Sequence, residues 1–240
     1  MGMPIEIEIV ADTARDALED AFAYFVSVDE KFSTYKVDSE ISQINQGEIT
    51  FRDASAEMRE VFEIAEKTRE ETHGYFNIRC PDGSLDPSGI VKGWAIKEAA
   101  RRVAARGIQS FFINAGGDIA SLGADAAGKS WSVGIKNPFK QDEIVKVIYP
   151  KGKGVATSGS YIRGAHIYNP LHPAEELKDI VSITVIGPNV LDADRFAAAA
   201  FAMGKNGVAF IESLHGFEAY AIDKEGIATL TSGFSNFLHL

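Results

Sequence analysis

Residues 111–118 read Phe111-Phe112-Ile113-Asn114-Ala115-Gly116-Gly117-Asp118, FFINAGGD. Aromatic and β-branched residues closed by paired glycines predict a short buried strand that ends abruptly, leaving an amide and a carboxylate where backbone can approach a ligand closely. Upstream, residues 85–93 (LDPSGIVKG) lead into a helix running through Ala105, which Gly107 stops. Downstream, residues 131–135, 144–149, 154–157 and 180–186 read as strands, and 217–222 and 227–230 close the sheet. Helices dominate the first half. Ala17, Leu18, Ala21, Phe22, Phe25, Val28 and Phe32 recur at helical spacing, with Thr13 placed to cap their helix. Ser39 is placed to cap a short turn from Glu40 to Asn45, and residues 56–73 predict a further helix ending at Gly74. Asp192 is expected to cap a helix over 193–203. Repeats, low-complexity tracts and linkers are absent from the sequence, so the expected fold is α+β, one domain spanning 1–240, with a mixed, largely antiparallel sheet covered by helices; two subdomains around a cleft stay open.

Composition narrows the function classes. The 240 residues are 45% hydrophobic and 24% charged, an ordinary globular balance, and the formal net charge is -10. Neither nucleic acid nor an anionic membrane surface is therefore an expected partner, and an anionic ligand has to be held by local devices. The single cysteine, Cys80, excludes an internal disulfide framework and a cysteine-based zinc cluster. Ile5, Ile7 and Ile9 alternate with Glu6 and Glu8 where an export signal needs an unbroken apolar run. The expected location is the cytoplasm.

Four glycine-punctuated or acidic loops carry the candidate chemistry. In 86–93, Gly89 and Gly93 flank Lys92 at a helix entry, so helix dipole and ammonium can face a phosphate; the spacing is not that of a Walker loop. In 114–118, Gly116 and Gly117 bring backbone beside Asp118. In 156–163, Thr157, Ser158 and Gly159 offer hydroxyls and amides, with His166 following as a neutral imidazole able to accept a proton. Asp192 and Asp194 open the last long helix as capping residues or as ligands for a hard divalent cation. Taken singly, each loop is better explained as a turn, a bulge or a cap.

Taken together and in order, the loops resemble the FAD:protein FMN transferase family, known as ApbE. The segments STYKVDSE, DPSGIVKGWA, NAGGD, ATSGSY, HIYNP and ADRFAA stand where that family has S-x-Y-x-x-x-S-E, D-x-G-x-x-x-K-G-x-A, N-x-G-G-D, A-T-S-G-x-Y, H-I-x-D-P and A-D-A-L-x-T. The resemblance covers nearly the whole chain and implies an ApbE fold, T-fold-like. It further implies FAD as substrate, Mg²⁺ as cation, and a threonine of an acceptor flavoprotein as the group that takes FMN while AMP leaves. By that resemblance Tyr35 lies against the flavin ring, Ser39 and Glu40 organise the same pocket, and Gly89, Lys92 and Gly93 face the nucleotide. Asp118 with Gly116 and Gly117, and Thr157, Ser158 and Gly159, line the cleft. His166, the implied base, and Asp118 are the implied catalytic residues, and Asp194 with the Val91 backbone carbonyl holds Mg²⁺.

The chain also departs from the family pattern. Ala198 stands where the family has a metal-binding threonine, Asn169, His172 and Pro173 replace an aspartate, a threonine and a glycine, and the opening M-G-T is Met1-Gly2-Met3. The segment between Phe76 and Leu85 is abbreviated. Two alternatives follow: a non-catalytic FAD-binding or carrier protein, and an Mg²⁺-dependent FAD pyrophosphatase giving FMN and AMP.

Overall fold

A computed structural model describes residues 2–11, 14–160 and 168–239. Seven strands form one sheet in the order β1 (Ile5–Ile9), β2 (Phe111–Ala115), β3 (Asp118–Leu122), β6 (Gly154–Gly159), β7 (Ile180–Gly187), β8 (Glu218–Asp223) and β9 (Ala228–Leu230), and β4 (Val133–Asn137) with β5 (Lys140–Ile148) makes a separate hairpin. All pairings between these strands are antiparallel. The helices are α1 (Ala14–Phe32), α2 (Glu40–Gln46), α3 (Ala56–Glu71), α4 (Ser88–Ala105), α5 (Val190–Ala202) and α6 (Asn206–Glu212), and a 3-10 turn (Phe234–Phe237) follows β9. The expected α+β architecture with helix-covered sheet is present. Among the described residues no helix is long and apolar enough to cross a membrane.

Side-chain periodicity decides which face each element buries. On α1 the buried residues are Ala17, Ala21, Tyr24, Phe25, Val28 and Phe32, one apolar stripe, and they pack with α3 and α4 against β1 and β2. Along β8, Ala219 and Ala221 join α5 and α6 on one face. Tyr220 and Ile222, turned to the other, meet Ile135 and Ile148 from the β4–β5 hairpin. Both faces are thus covered, which is why β7 reads as a nearly continuous apolar run.

Four local expectations are corrected. The helix expected after residues 85–93 begins at Ser88, so Gly89, Lys92 and Gly93 lie in its first two turns, and Thr157, Ser158 and Gly159 lie in strand β6 and not in a loop. The decisive stretch does not end its strand at Asp118: β3 restarts there, with Ala115 paired to Asp118, so Gly116 and Gly117 are the two-residue loop of a hairpin. Their φ angles of +62° and +100° are what such a loop demands and what glycine alone accepts freely. Asn114 closes the loop by accepting the Gly117 N–H through Oδ1 at 3.0 Å. The last long helix begins at Val190, capped by Asn189 and not by Asp192; Asn189 Oδ1 accepts the Asp192 N–H at 3.1 Å. Asp192 sits three residues into that cap, and its carboxylate accepts from Asn189 Nδ2 at 2.6 Å. Ser39 caps α2 as expected, its side chain accepting from Ser42 N. Thr13 lies outside the described residues.

Candidate functional site

The sheet is weakest at its middle, and the candidate site is there. β3 and β6 pair through a single register position, Ile119 with Val155. Beyond it the strands part, and Asp118 takes over from the ladder: its Oδ1 accepts the Thr157 N–H at 3.1 Å. The Thr157 hydroxyl in turn lies 2.8 Å from that of Thr184 on β7. A carboxylate, a hydroxyl and the Gly116–Gly117 turn are therefore gathered where two strands diverge.

α4 crosses this opening and brings Lys92, whose Nζ lies 2.5 Å from Asp118 Oδ2 and 3.2 Å from Asp194 Oδ1 on α5. Gly93 allows the crossing, because a Cβ there would stand 2.9 Å from both Leu191 Cα and Asp194 Cβ. Its N–H donates to Asp194 Oδ2 at 2.9 Å. Asp118 and Asp194 are 0% and 3% exposed, so two buried carboxyl groups face one ammonium. Burial, helped by repulsion from Asp118 and only partly offset by Lys92, pushes Asp194 up to about 7. Burial works against the Lys92 ammonium too, but Asp118 and Asp194 overcome it and hold its pKa above the ordinary lysine value.

Two cavities flank this cluster. One, of about 150 Å³, is lined by Phe76, Gly89, Gly116, Thr157, Ser158, Gly159, Asp194 and Ala198 among others. The other, of about 470 Å³, is lined by Phe32, Ser33, Thr34, Tyr35 and Val91 among others. Asp86, Ser88 and Lys92 line both. They meet at the first turns of α4, where Asp86 Oδ1 accepts the Ser88 N–H at 3.0 Å and the Ile90 and Val91 N–H groups both donate to the Pro87 carbonyl at 2.9 Å. The start of a helix carries partial positive charge, which favours an anion placed there.

The sequence candidates fall into four groups. Gly89, Lys92, Gly116, Thr157, Ser158, Gly159 and Asp194 are brought together around the smaller cavity, with Asp118 directly behind Lys92, Gly117 in the adjoining turn and Gly93 at the helix crossing. Tyr35 and Val91 line the larger one, Tyr35 at 97% exposure. Ser39 and Glu40 stand behind that wall. The Ser39 hydroxyl donates to the Ser33 carbonyl at 2.7 Å, and Glu40 Oε2 accepts from the Ser55 hydroxyl at 2.7 Å, tying α2 to the start of α3. His166 lies outside the described residues. Sequence reasoning passed over Phe76, Asp86, Ser88 and Tyr168. For Asp86 a signal existed, since Asp-Pro-Ser sets up the turn in which Asp86 Oδ1 accepts the Ser88 N–H at 3.0 Å; Tyr168 stands within the HIYNP segment at a position any residue can fill, and Phe76 had no signal.

The donor set suits a hard divalent cation within limits. Asp118 Oδ2 is buried beside the Lys92 ammonium at 2.5 Å, and two carboxyl groups against one ammonium favour a further cation once both are ionised. No cluster of three or more His, Cys, Asp or Glu forms among the described residues. One or two carboxylates completed by water and phosphate oxygens match magnesium rather than an all-protein calcium cage. Asp192 takes no part, its carboxylate being held by Arg195 at 2.8 Å.

A family model described as the ApbE family matches residues 1–82 and 80–221. The chain belongs to the ApbE family. An FAD:protein FMN transferase of Salmonella typhimurium is 29% identical over 163 residues, covering 64% of this chain and 47% of that relative. The chain thus spans about half the length of the first curated ApbE relatives it matches. The flavin transferase ApbE of Vibrio cholerae superposes with a TM-score of 0.86 at 23% identity, over 99% of this chain and 96% of that one. The ApbE protein of Thermotoga maritima gives 0.88 at 21%, over 100% and 97%. At those identities the superpositions establish the shared ApbE fold.

Proposed function

We propose that residues 1–240 act as one unit that moves FMN from FAD to a threonine hydroxyl of an acceptor flavoprotein. The threonine oxygen attacks the FMN-side phosphorus, the bond between the two phosphates breaks, AMP leaves, and the hydroxyl proton passes to a base, for which His166 is the candidate. One observation carries the reading: two cavities on either side of the start of α4 share Asp86, Ser88 and Lys92, which suits a ligand with two bulky ends and a charged middle. In this reading Tyr35 stacks against the flavin in the larger cavity, and Ser39 and Glu40 hold its wall. Gly89 and Lys92 face the phosphates, Gly93 holds Asp194 behind them, and Gly116, Thr157, Ser158 and Gly159 line the rest of the path, with Gly117 completing the turn.

Mg²⁺ would be held by Asp194, with Asp118 beside it and the Val91 carbonyl as a further oxygen. When bound it supplies charge neutralisation on the phosphates. Lys92 adds fixed positive charge, and the paired glycines let backbone N–H groups approach the phosphate oxygens. We assign the activity to the cytoplasm, in keeping with the lone cysteine.

Incubating the protein with FAD, Mg²⁺ and a candidate acceptor flavoprotein tests this by intact mass. The expected result is an acceptor heavier by one FMN unit, with AMP released in equal amount. FMN and AMP with no gain in acceptor mass would replace transfer by pyrophosphatase activity. Ala198, beside Asp194 in the cavity wall, favours a second reading, FAD carriage without chemistry. Tight FAD binding with neither product establishes that one.

A further inference from the structure

We propose that Arg195 is a positioning residue for this cleft, fixing at once the Asp194 carboxylate and the wall built by residues 75–77. The inference rests on reading the cleft as an FAD site. Arg195 is buried, its side chain 9% exposed, and it reaches away from the cleft. Its Nε donates to Asp192 Oδ1 at 2.8 Å, and its Nη1 donates to Thr68 Oγ1 at 3.2 Å and to Glu71. The guanidinium also lies 4.0 Å from the Phe196 ring centroid. One side chain thus joins the first turns of α5 to the last turn of α3.

Both joined ends lead directly into the cleft. On α5, Asp194 precedes Arg195 by one residue, about 100° around the helix, so an arginine locked on α3 sets the rotation that aims Asp194 at Gly93 and Lys92. On α3, the Thr68 carbonyl accepts from the Thr72 hydroxyl at 2.7 Å, and Thr72 Oγ1 accepts the Phe76 N–H at 3.2 Å. Phe76 packs on Gly89, where a Cβ would stand 2.9 Å from its ring, and Tyr75, Phe76 and Asn77 all line the cavity. The planar fork of arginine can hold Asp192, Thr68 and Glu71 together; a lysine ammonium, a single point charge, cannot reproduce that geometry.

Arg195→Lys and Glu71→Gln test the proposal. The readouts are FAD dissociation constant by quenching of flavin fluorescence, melting temperature, and the division of any transfer defect between kcat and KM. Arg195→Lys is expected to stay folded at 25 °C yet bind FAD at least ~10-fold more weakly, the scale seen when groups supporting a ligand site are removed. Its KM should rise more than its kcat falls. Glu71→Gln is nearly isosteric and partly exposed, which keeps a folded variant in hand, and should show a smaller loss of the same kind. FAD affinity within twofold of the unaltered protein in the folded variants, whatever their melting temperatures, overturns the positioning role. Failure of the unaltered protein to bind FAD instead overturns the reading of the cleft itself, before any variant is made.

Discussion

Asp194 illustrates how one carboxyl is governed by its surroundings. In the unfolded chain it titrates at the usual aspartate value of 3.8; folded and free of metal it titrates near 7, because burial and Asp118 outweigh the attraction of Lys92. Between those two values the folded state holds a proton that the unfolded state has lost. The contribution of this carboxyl to stability therefore falls as pH rises from about 4 to about 7 and levels off above that. One proton limits its slope to about 1.4 kcal/mol per pH unit. Asp194→Asn removes it, so in EDTA the variant should gain stability relative to the unaltered protein as pH climbs through that window. Urea denaturation at several pH values checks this; parallel curves for the two proteins would show that Asp194 is ionised throughout.

Helix crossing is the controlling feature among elements. α4 and α5 approach so closely at Gly93 that any side chain there meets the backbone of Leu191 and the start of the Asp194 side chain. Gly93→Ala must part the helices, and overpacking of this kind costs about 1–3 kcal/mol. A loss of ~2–4 °C in melting temperature per kcal/mol is expected for a chain this long, together with weaker FAD binding because Asp194 moves with its helix. A variant that melts normally and binds FAD normally would mean the crossing carries spare room. Glycine at this position was legible as part of a loop-to-helix motif, but its contact lies 101 residues away in sequence, with Asp194, and no local pattern announces it. Helix α1 was legible for the opposite reason: its stripe of buried residues is a property of consecutive turns.

Across the molecule, the site exists because the sheet comes apart between β3 and β6 and two helices are laid over the gap. α5 contributes Asp194 and, one turn on, Ala198, both facing the cavity. Ala198→Thr places a hydroxyl oxygen next to Asp194 and should lower the Mg²⁺ concentration needed for FAD binding by roughly 10-fold, as restored ligands to a metal site commonly do. Titrating Mg²⁺ against flavin fluorescence measures it; an unchanged midpoint would show that the missing hydroxyl is not what limits the ion.

Sequence by itself determined the amphipathic helices, the strand-rich second half and the Gly116–Gly117 turn, because periodicity, β-branching and glycine's freedom at positive φ act over a few residues; residues 88–93 and 157–159, expected in loops, lie instead in α4 and β6. It located Asp118 beside its glycines, yet could not tell a loop end from the first residue of β3, since that choice depends on whether a neighbouring strand is there to pair. Asn189 is the cap because the helix starts at Val190, which puts Asp192 inside the first turn, where its carboxylate accepts from both Asn189 and Arg195. Only the tertiary structure decided that Lys92 would stand between Asp118 and Asp194. Attraction between buried charges is set by distance in space, and folding alone brings residues 92, 118 and 194 within reach of one another.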